Sequence, residues 1–306
     1  RSDAPLPQPP SVQVKASYTV TELPKASPQE PAAFYAQDSD EDYRRRETAK
    51  RKKKHGNLLY TLAMIVFAAT FLISGGLLAK RFLDDRKTES EFADLQSMID
   101  TAATPAPAGE NVNPNGARFA ALRDKNSDFI GWISIDGTNL DFPVMYAPDN
   151  KDFYLRHDFN KAYSVYGVPY LDEQTTLGAN AESDNLIIYG HNMKTGTIFG
   201  CLTEYRKADY YQEHPCIEFD TVYGDARYEV FGAFTIDVVN DTSFIYNQYI
   251  DMDEDTYNRY VDQVISRSDV DSGIRPAYGE QLLTLSTCEY SSANGRYVVV
   301  ARRVSD

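Results

Sequence analysis

The chain has 306 residues, 42% of them hydrophobic and 12% aromatic, enough for a sizeable core in one or two domains with tails. A net charge of −14 argues against a nucleic-acid partner, which needs a basic face. Three cysteines are too few for a disulfide framework. Cys201 and Cys216 are candidates to pair in an extracellular domain, although small buried thiols are the commoner state. The first residue is Arg1, so the native start is expected upstream.

Residues 1–56 are rich in Pro, Ser, Ala, Gln and acids and are expected to be disordered. They close on a basic block that includes Arg44, Arg45, Arg46, Lys50, Arg51, Lys52, Lys53 and Lys54. Leu58 to Ala79 follows without a single charge. A bilayer core needs about 20 apolar residues in a helix, so residues 57–80 read as one transmembrane span. The run is longer than the roughly 7–15 residues of a signal-peptide core, and no small-residue cleavage site ends it. The basic block lies before the span, so the N-terminus is expected in the cytoplasm, against anionic headgroups, and everything after Lys80 outside. Phe92, Leu95 and Ile99 have the spacing of one apolar helical stripe. Residues 81–115 as a whole read as a stalk, and the Pro- and Ala-rich part from 101 as a semi-stiff linker.

A folded domain is expected over 116–306. A short helix from Ala117 to Lys125 presents Phe119 and Leu122. Strands Trp132–Ile135 and Thr138–Phe142 flank Asp136-Gly137, a hairpin signal. Further strands are expected at Asn185–Tyr189, Tyr228–Ile236, Leu282–Thr287 and Tyr297–Ala301, with Ser291-Ser292-Ala293-Asn294-Gly295 as the turn between the last two. Short strands with long connections predict a mostly β domain, a closed or half-closed barrel. Two helical inserts are expected, Thr197–Glu213 and Asp253–Arg267, the second carrying Tyr257, Tyr260, Val261, Val264 and Ile265. Asp251, Asp253 and Asp255 hint at a calcium loop, but Thr256 stands where such a loop needs Gly. Acids at a helix N-terminus are the better reading, and no metal or cofactor is expected.

Cys288 ends one predicted strand and Arg296 begins the next, so a thiol and a guanidinium are aimed into one space. A cation beside a thiol favours the thiolate nucleophile, and a rigid guanidinium can bind the oxyanion of an attacked carbonyl. Of the four histidines, His191 is the best acid/base candidate: it follows the strand Asn185–Tyr189, with Gly190 letting the chain turn. Singly, each residue has a plainer reading: inert core thiol, solvated edge arginine, packed histidine. Together they describe cysteine acyl transfer. Thr287 and Glu289 flank the nucleophile and are candidate substrate contacts; Glu289 reads equally well as a solvated acid. Cys201 and Cys216 have no Arg or His arranged around them in sequence, and neither His157 nor His214 has a comparable setting.

Thr284-Leu285-Ser286-Thr287-Cys288-Glu289 with Arg296, and Tyr189-Gly190-His191-Asn192-Met193, resemble the active-site motifs of sortases. Asp128–Thr138, Phe142-Pro143-Val144-Met145, Phe153-Tyr154-Leu155 and Gly167–Asp172 resemble the opening of a class B sortase, so the resemblance covers roughly 116–306. It implies an eight-stranded barrel decorated with helices, a long helix walling the substrate groove, and a Gram-positive membrane-anchored transpeptidase. In that chemistry Cys288 attacks a carbonyl, most often that of a Thr, in the sorting signal of a secreted protein. Arg296 holds the oxyanion, His191 moves the proton, and a peptidoglycan-precursor or pilin amine resolves the thioester. The alternatives are a membrane-anchored cysteine hydrolase, an L,D-transpeptidase, whose Ser-His-Gly-Cys type motif is absent here, and a non-enzymatic extracellular binding module.

Overall fold

The structure, a computed structural model, describes residues 40–102, 114–289 and 294–304. The expected disordered tail before residue 40, the linker over 103–113 and the Ser291-Ser292-Ala293 turn lie outside the described residues. The chain divides into two compact units, Arg1–Ser74 and Gly75–Asp306.

α1 (Asp40–Ala102) begins in the first unit, well before the residue-57 boundary expected from sequence, so the basic block is helical rather than disordered. Lys and Arg are good helix formers, and an apolar helix that continues from them removes the cost of nucleation. From Leu58 the helix is long and apolar enough to cross a membrane.

In the second unit, the stretch expected to be a free stalk is packed. Leu95 is 2% exposed and Ile99 6%, and both belong to the barrel's core cluster. Phe92 meets Phe142 edge-on at 4.9 Å, and Gln96 donates to Asp141 at 2.6 Å. The predicted apolar stripe is therefore a face packed into the core cluster beside β2. The folded domain also reaches back past Gly116: α2 (Pro114–Arg118) carries the buried Asn115, which donates to Thr221 O at 3.0 Å. α3 (Ala120–Lys125) follows, and Phe119 and Leu122 are fully buried.

The strands are β1 (Phe129–Ser134), β2 (Asp141–Met145), β3 (Tyr170–Leu171), β4 (Leu177–Gly178), β5 (Ala181–Glu182), β6 (Asn185–Tyr189), β7 (Cys216–Thr221), β8 (Arg227–Asp237), β9 (Leu282–Glu289) and β10 (Gly295–Val304). Eight of them close a barrel in the order β1-β2-β3-β6-β9-β10-β8-β7, and β4 and β5 form a separate hairpin. Closure leaves the barrel no open sheet edge. The β1–β2 hairpin exists, but β2 begins at Asp141 rather than Thr138, because the turn is wider than two residues, with Ile135 N on Leu140 O. The first helical insert is a 3-10 segment, Gly200–Arg206, followed by α4 (Ala208–Glu213). The second is α5 (Glu254–Arg267), capped by Asp253, whose carboxylate accepts from Thr256 N. Tyr257, Tyr260, Val261 and Val264 are buried beneath α5, while Ile265 faces out.

Strand alternation divides the core in two. Leu283, Leu285, Tyr297, Val299 and Ala301 fill the barrel. Leu282, Val298 and Val300 point outward, where Tyr257, Tyr260, Val261 and Val264 of α5 cover them. Cys288 and Arg296 continue that outward series past the end of the α5 layer.

Candidate active site

β9 and β10 pair antiparallel with Arg296 directly opposite Cys288. Residues in register across a ladder present their side chains on the same face, about 5 Å apart at the Cβ atoms. The expectation of a thiol beside a guanidinium therefore holds, and Cys288 falls within β9 rather than after it. Cys288 is half-buried. Arg296 donates to Gly295 O at 2.9 Å, and among the described residues no carboxylate pairs with its guanidinium.

The third side chain comes from a parallel neighbour. β6 runs beside β9 with Tyr189 level with Ser286. Gly190 N then bonds Ser286 O at 3.2 Å, which places His191 alongside the thiol strand. Gly190 is required there: a Cβ would come within 2.7 Å of the Phe199 ring. Burial holds the His191 imidazole below its ordinary value; the bond to Leu155 O opposes that and Arg156 adds to it.

Thr287 and Glu289 are on the other side of β9 from Cys288 and are already engaged. The Thr287 hydroxyl donates to Gly190 O at 2.7 Å, tying the histidine loop to the cysteine strand. Glu289 is 9% exposed and pairs with Arg206 at 3.2 Å. Arg206 also lies over the Tyr297 ring. The Thr287 hydroxyl is thus part of the frame while the residue also lines the cleft, and Glu289 is a buried, paired acid rather than the solvated one that was the other reading of the sequence. Asn192, which the sequence reading left without a role, adds a second tie, donating to Cys288 O at 2.9 Å.

Cys288, His191 and Arg296 open into one cleft of about 380 Å³. Its walls are Tyr170, Tyr189, Phe244, Ile245 and Tyr246, with Asp172 and Ser286. Tyr246 OH and Ser286 Oγ are 2.7 Å apart, and Tyr189 OH donates to the buried Asp172 at 2.8 Å. The wall expected from the long helix is supplied instead by the loop leading into it, around Phe244–Asn247; α5 itself packs on β8. Ser286 had a readable signal, since it alternates with Cys288. Asp172 and Tyr246 had none, because each reaches the cleft from a distant connection.

The other cysteines and histidines separate from this site. His157 stacks on Phe153 with ring centroids 3.9 Å apart. Cys201 is a free thiol whose pKa burial pushes up. Cys216 is also free and does not bond to Cys201. It is less isolated than its sequence neighbourhood suggested: Arg227 and His214 line the same pocket. Among the described residues no group of His, Cys, Asp and Glu converges as metal ligands.

Known proteins match this architecture. A family model described as the sortase domain matches residues 133–304. The chain is 30% identical over 244 residues to Sortase B of Staphylococcus aureus, covering 79% of this chain and 95% of that protein. It is 28% identical over 247 residues to Sortase B of Listeria monocytogenes, with the same coverage. Among solved structures, a Staphylococcus aureus sortase B–substrate complex superposes with a TM-score of 0.64 at 29% identity, covering 73% of this chain and 99% of the other. Sortase B from B. anthracis gives 0.63 at 26% identity, covering 74% and 100%.

Proposed function

Given that the chain belongs to the sortase family, in its class B group, and is thereby a cysteine transpeptidase, we propose that it joins secreted proteins to a cell-surface amine through a thioester on Cys288. The Cys288 thiolate attacks the carbonyl of a sorting signal, at a Thr by family likeness. Arg296, in register across the strand pair, donates to the oxyanion. As the C–N bond breaks, His191 gives its proton to the leaving amine. An incoming amine then attacks the thioester, His191 takes its proton, and the thiolate leaves. The acceptor is a peptidoglycan precursor or a pilin lysine. The apolar part of α1 is compatible with a single-pass anchor, and in this reading it holds the barrel outside the cell with the basic block in the cytoplasm.

The observation that carries this reading is the register: Cys288 opposite Arg296, with His191 two residues past the end of the parallel neighbour strand and all three lining one cleft. The test uses the full chain in detergent with quenched X-Pro-X-Thr-X peptides, with and without triglycine, beside Cys288→Ala. Cleavage that vanishes in the variant, with a triglycine-linked product by mass spectrometry, is the expected result. Cleavage that ends only in a free acid whatever amine is added, including diaminopimelate and lysine, indicates the hydrolase. No thioester and no cleavage by a folded chain overturns the enzyme reading at this site.

A further inference from the structure

The imidazole of His191 makes a hydrogen bond that its own chain neighbours do not supply. Its Nε2 lies 2.8 Å from the carbonyl oxygen of Leu155, on the connection between β2 and β3. A carbonyl oxygen can only accept, so the hydrogen in this contact belongs to Nε2. In the neutral ring the lone pair is then on Nδ1, and in the imidazolium the exchangeable second proton is on Nδ1 as well.

The local backbone is built to present that oxygen. Phe153–Leu155 is a 3-10 turn entered through Asp152, whose φ of 56° is left-handed. The carbonyls on either side of Leu155 are taken by the returning chain: Val168 N donates to Tyr154 O at 3.0 Å, and Ser164 N to Arg156 O at 2.9 Å. The oxygen between them meets the histidine ring. The returning chain can lie this close only because residue 167 is Gly. It has a φ of +60°, and a Cβ there would stand 2.5 Å from Tyr154 O and 2.8 Å from Leu155 O.

We propose that the Leu155 carbonyl is the positioning group of this active site, holding His191 as the Nε2–H tautomer and so assigning Nδ1 as the nitrogen that exchanges protons with the leaving and incoming amines. This rests on the reading of His191 as the acid/base. In acylation the Nδ1 proton passes to the amine nitrogen as its bond to the acyl carbon breaks. In deacylation Nδ1 takes one proton from the attacking amine as the thiolate departs. The Nε2 proton stays on the ring, donated to Leu155 O throughout, so the ring keeps its orientation through both half-reactions. Arg156 is the charge that acts on the ring, and the charged or titratable groups lining the same cleft are Lys151, Asp152, Asp172, Glu173, Asp241, Cys288 and Arg296. Gly167 becomes a functional position although it brings no side chain.

The experiment labels the full chain in detergent with 15N-histidine and reads the tautomer from long-range proton–nitrogen spectra, with His191→Gln to assign the signal. The expected pattern for neutral His191 is a protonated Nε2 and a bare Nδ1; an Nδ1–H ring overturns the proposal. A second arm replaces Arg156 by its α-hydroxy analogue, which turns the Leu155–Arg156 peptide into an ester and weakens that carbonyl as an acceptor. The His191 pKa, read by the same spectra, then falls by roughly half a pH unit. The corresponding limb of the kcat/KM profile moves with it, and KM is unchanged. A lost kcat with an unmoved pKa assigns the turn a merely structural role and sinks the idea. Gly167→Ala is expected to cut kcat about tenfold or more with KM held, as a misplaced catalytic group does; unchanged kcat in the folded variant counts against the proposal, and if it does not fold the spectra still decide. Full activity in His191→Gln sinks the parent reading. An inactive His191→Gln beside an Nδ1–H wild type sinks this one alone.

Discussion

Two pockets of this molecule hold a cysteine, a histidine and an arginine, and only one is arranged for acyl transfer. In the cleft, Cys288 and Arg296 are register partners and His191 arrives just past the end of a parallel strand. In the pocket beside β7 and β8, Cys216 is level with Glu229, and Arg227 is level with Glu218. Arg227 therefore stands diagonal to Cys216 across the strand pair, not opposite it. His214 is also held apart from the thiol, with Nδ1 against Asp136 O at 2.8 Å and its ring against Tyr210 at 4.5 Å. The second pocket is the larger, about 470 Å³ against 380 Å³, so volume does not mark the site. Residue types recur by chance; cross-strand register does not.

The strongest way to break this contrast is to delete each thiol. Cys288→Ala is expected to remove peptide cleavage by more than about 10³-fold, as loss of a covalent nucleophile does. Cys216→Ala should leave kcat/KM within about twofold, surface changes away from the chemistry being near neutral. Equal losses in quenched-peptide assays would erase the distinction. Next in size is the guanidinium. Arg296→Ala is expected to cost about 10²–10³ in kcat, the usual loss for one oxyanion donor, while Arg227→Ala is silent. Arg296→Lys should recover little of it, since a point charge on a flexible stem does not reproduce a planar fork.

A smaller effect sharpens the comparison by testing what holds the cleft's register. Thr287→Val deletes the hydroxyl that reaches Gly190 O and leaves that half-buried carbonyl without its donor. A loss of about 1–2 kcal/mol in stability is expected, read as a lower denaturant midpoint with the slope unchanged. The smallest effect is one of pH. His191 is depressed below its ordinary value of 6.5, so the stability its neutral ring brings is present above that pH and lost as pH falls through the folded-state value. Melts at successive pH values should show His191→Gln losing less stability than wild type over that acid interval, and a parallel decline would refute the assignment.

Much of this was legible along the chain because the signals are local. Each proposed catalytic residue sits at or just past the end of a strand that alternation or β-branching reveals, and α5 declares itself by the spacing of Tyr257, Tyr260, Val261 and Val264. What stayed hidden depends on pairs far apart in sequence. The Phe92, Leu95 and Ile99 stripe foretold a helix but not the core cluster beside β2 that it packs into. Adjacency to Cys288 marked Thr287 and Glu289, but no sequence signal shows that the Thr287 hydroxyl is spent on Gly190 O or that Glu289 pairs with Arg206. Leu155 acts through its backbone, where residue identity carries no mark, and only its neighbour Gly167 leaves a trace in the sequence.

The packed stem changes what a single proteolytic cut would do. If α1 were only a cable, hydrolysis anywhere between Ala102 and Pro114 would set the barrel loose. With Leu95 and Ile99 seated in the barrel's own core, the severed helix remains as a bound plug, and separation requires those side chains to be drawn out into water. Release becomes a two-event process, a cut followed by a local unfolding. An enzyme freed without its stem would carry an open apolar socket, a handle for aggregation or for rebinding the helix it had lost.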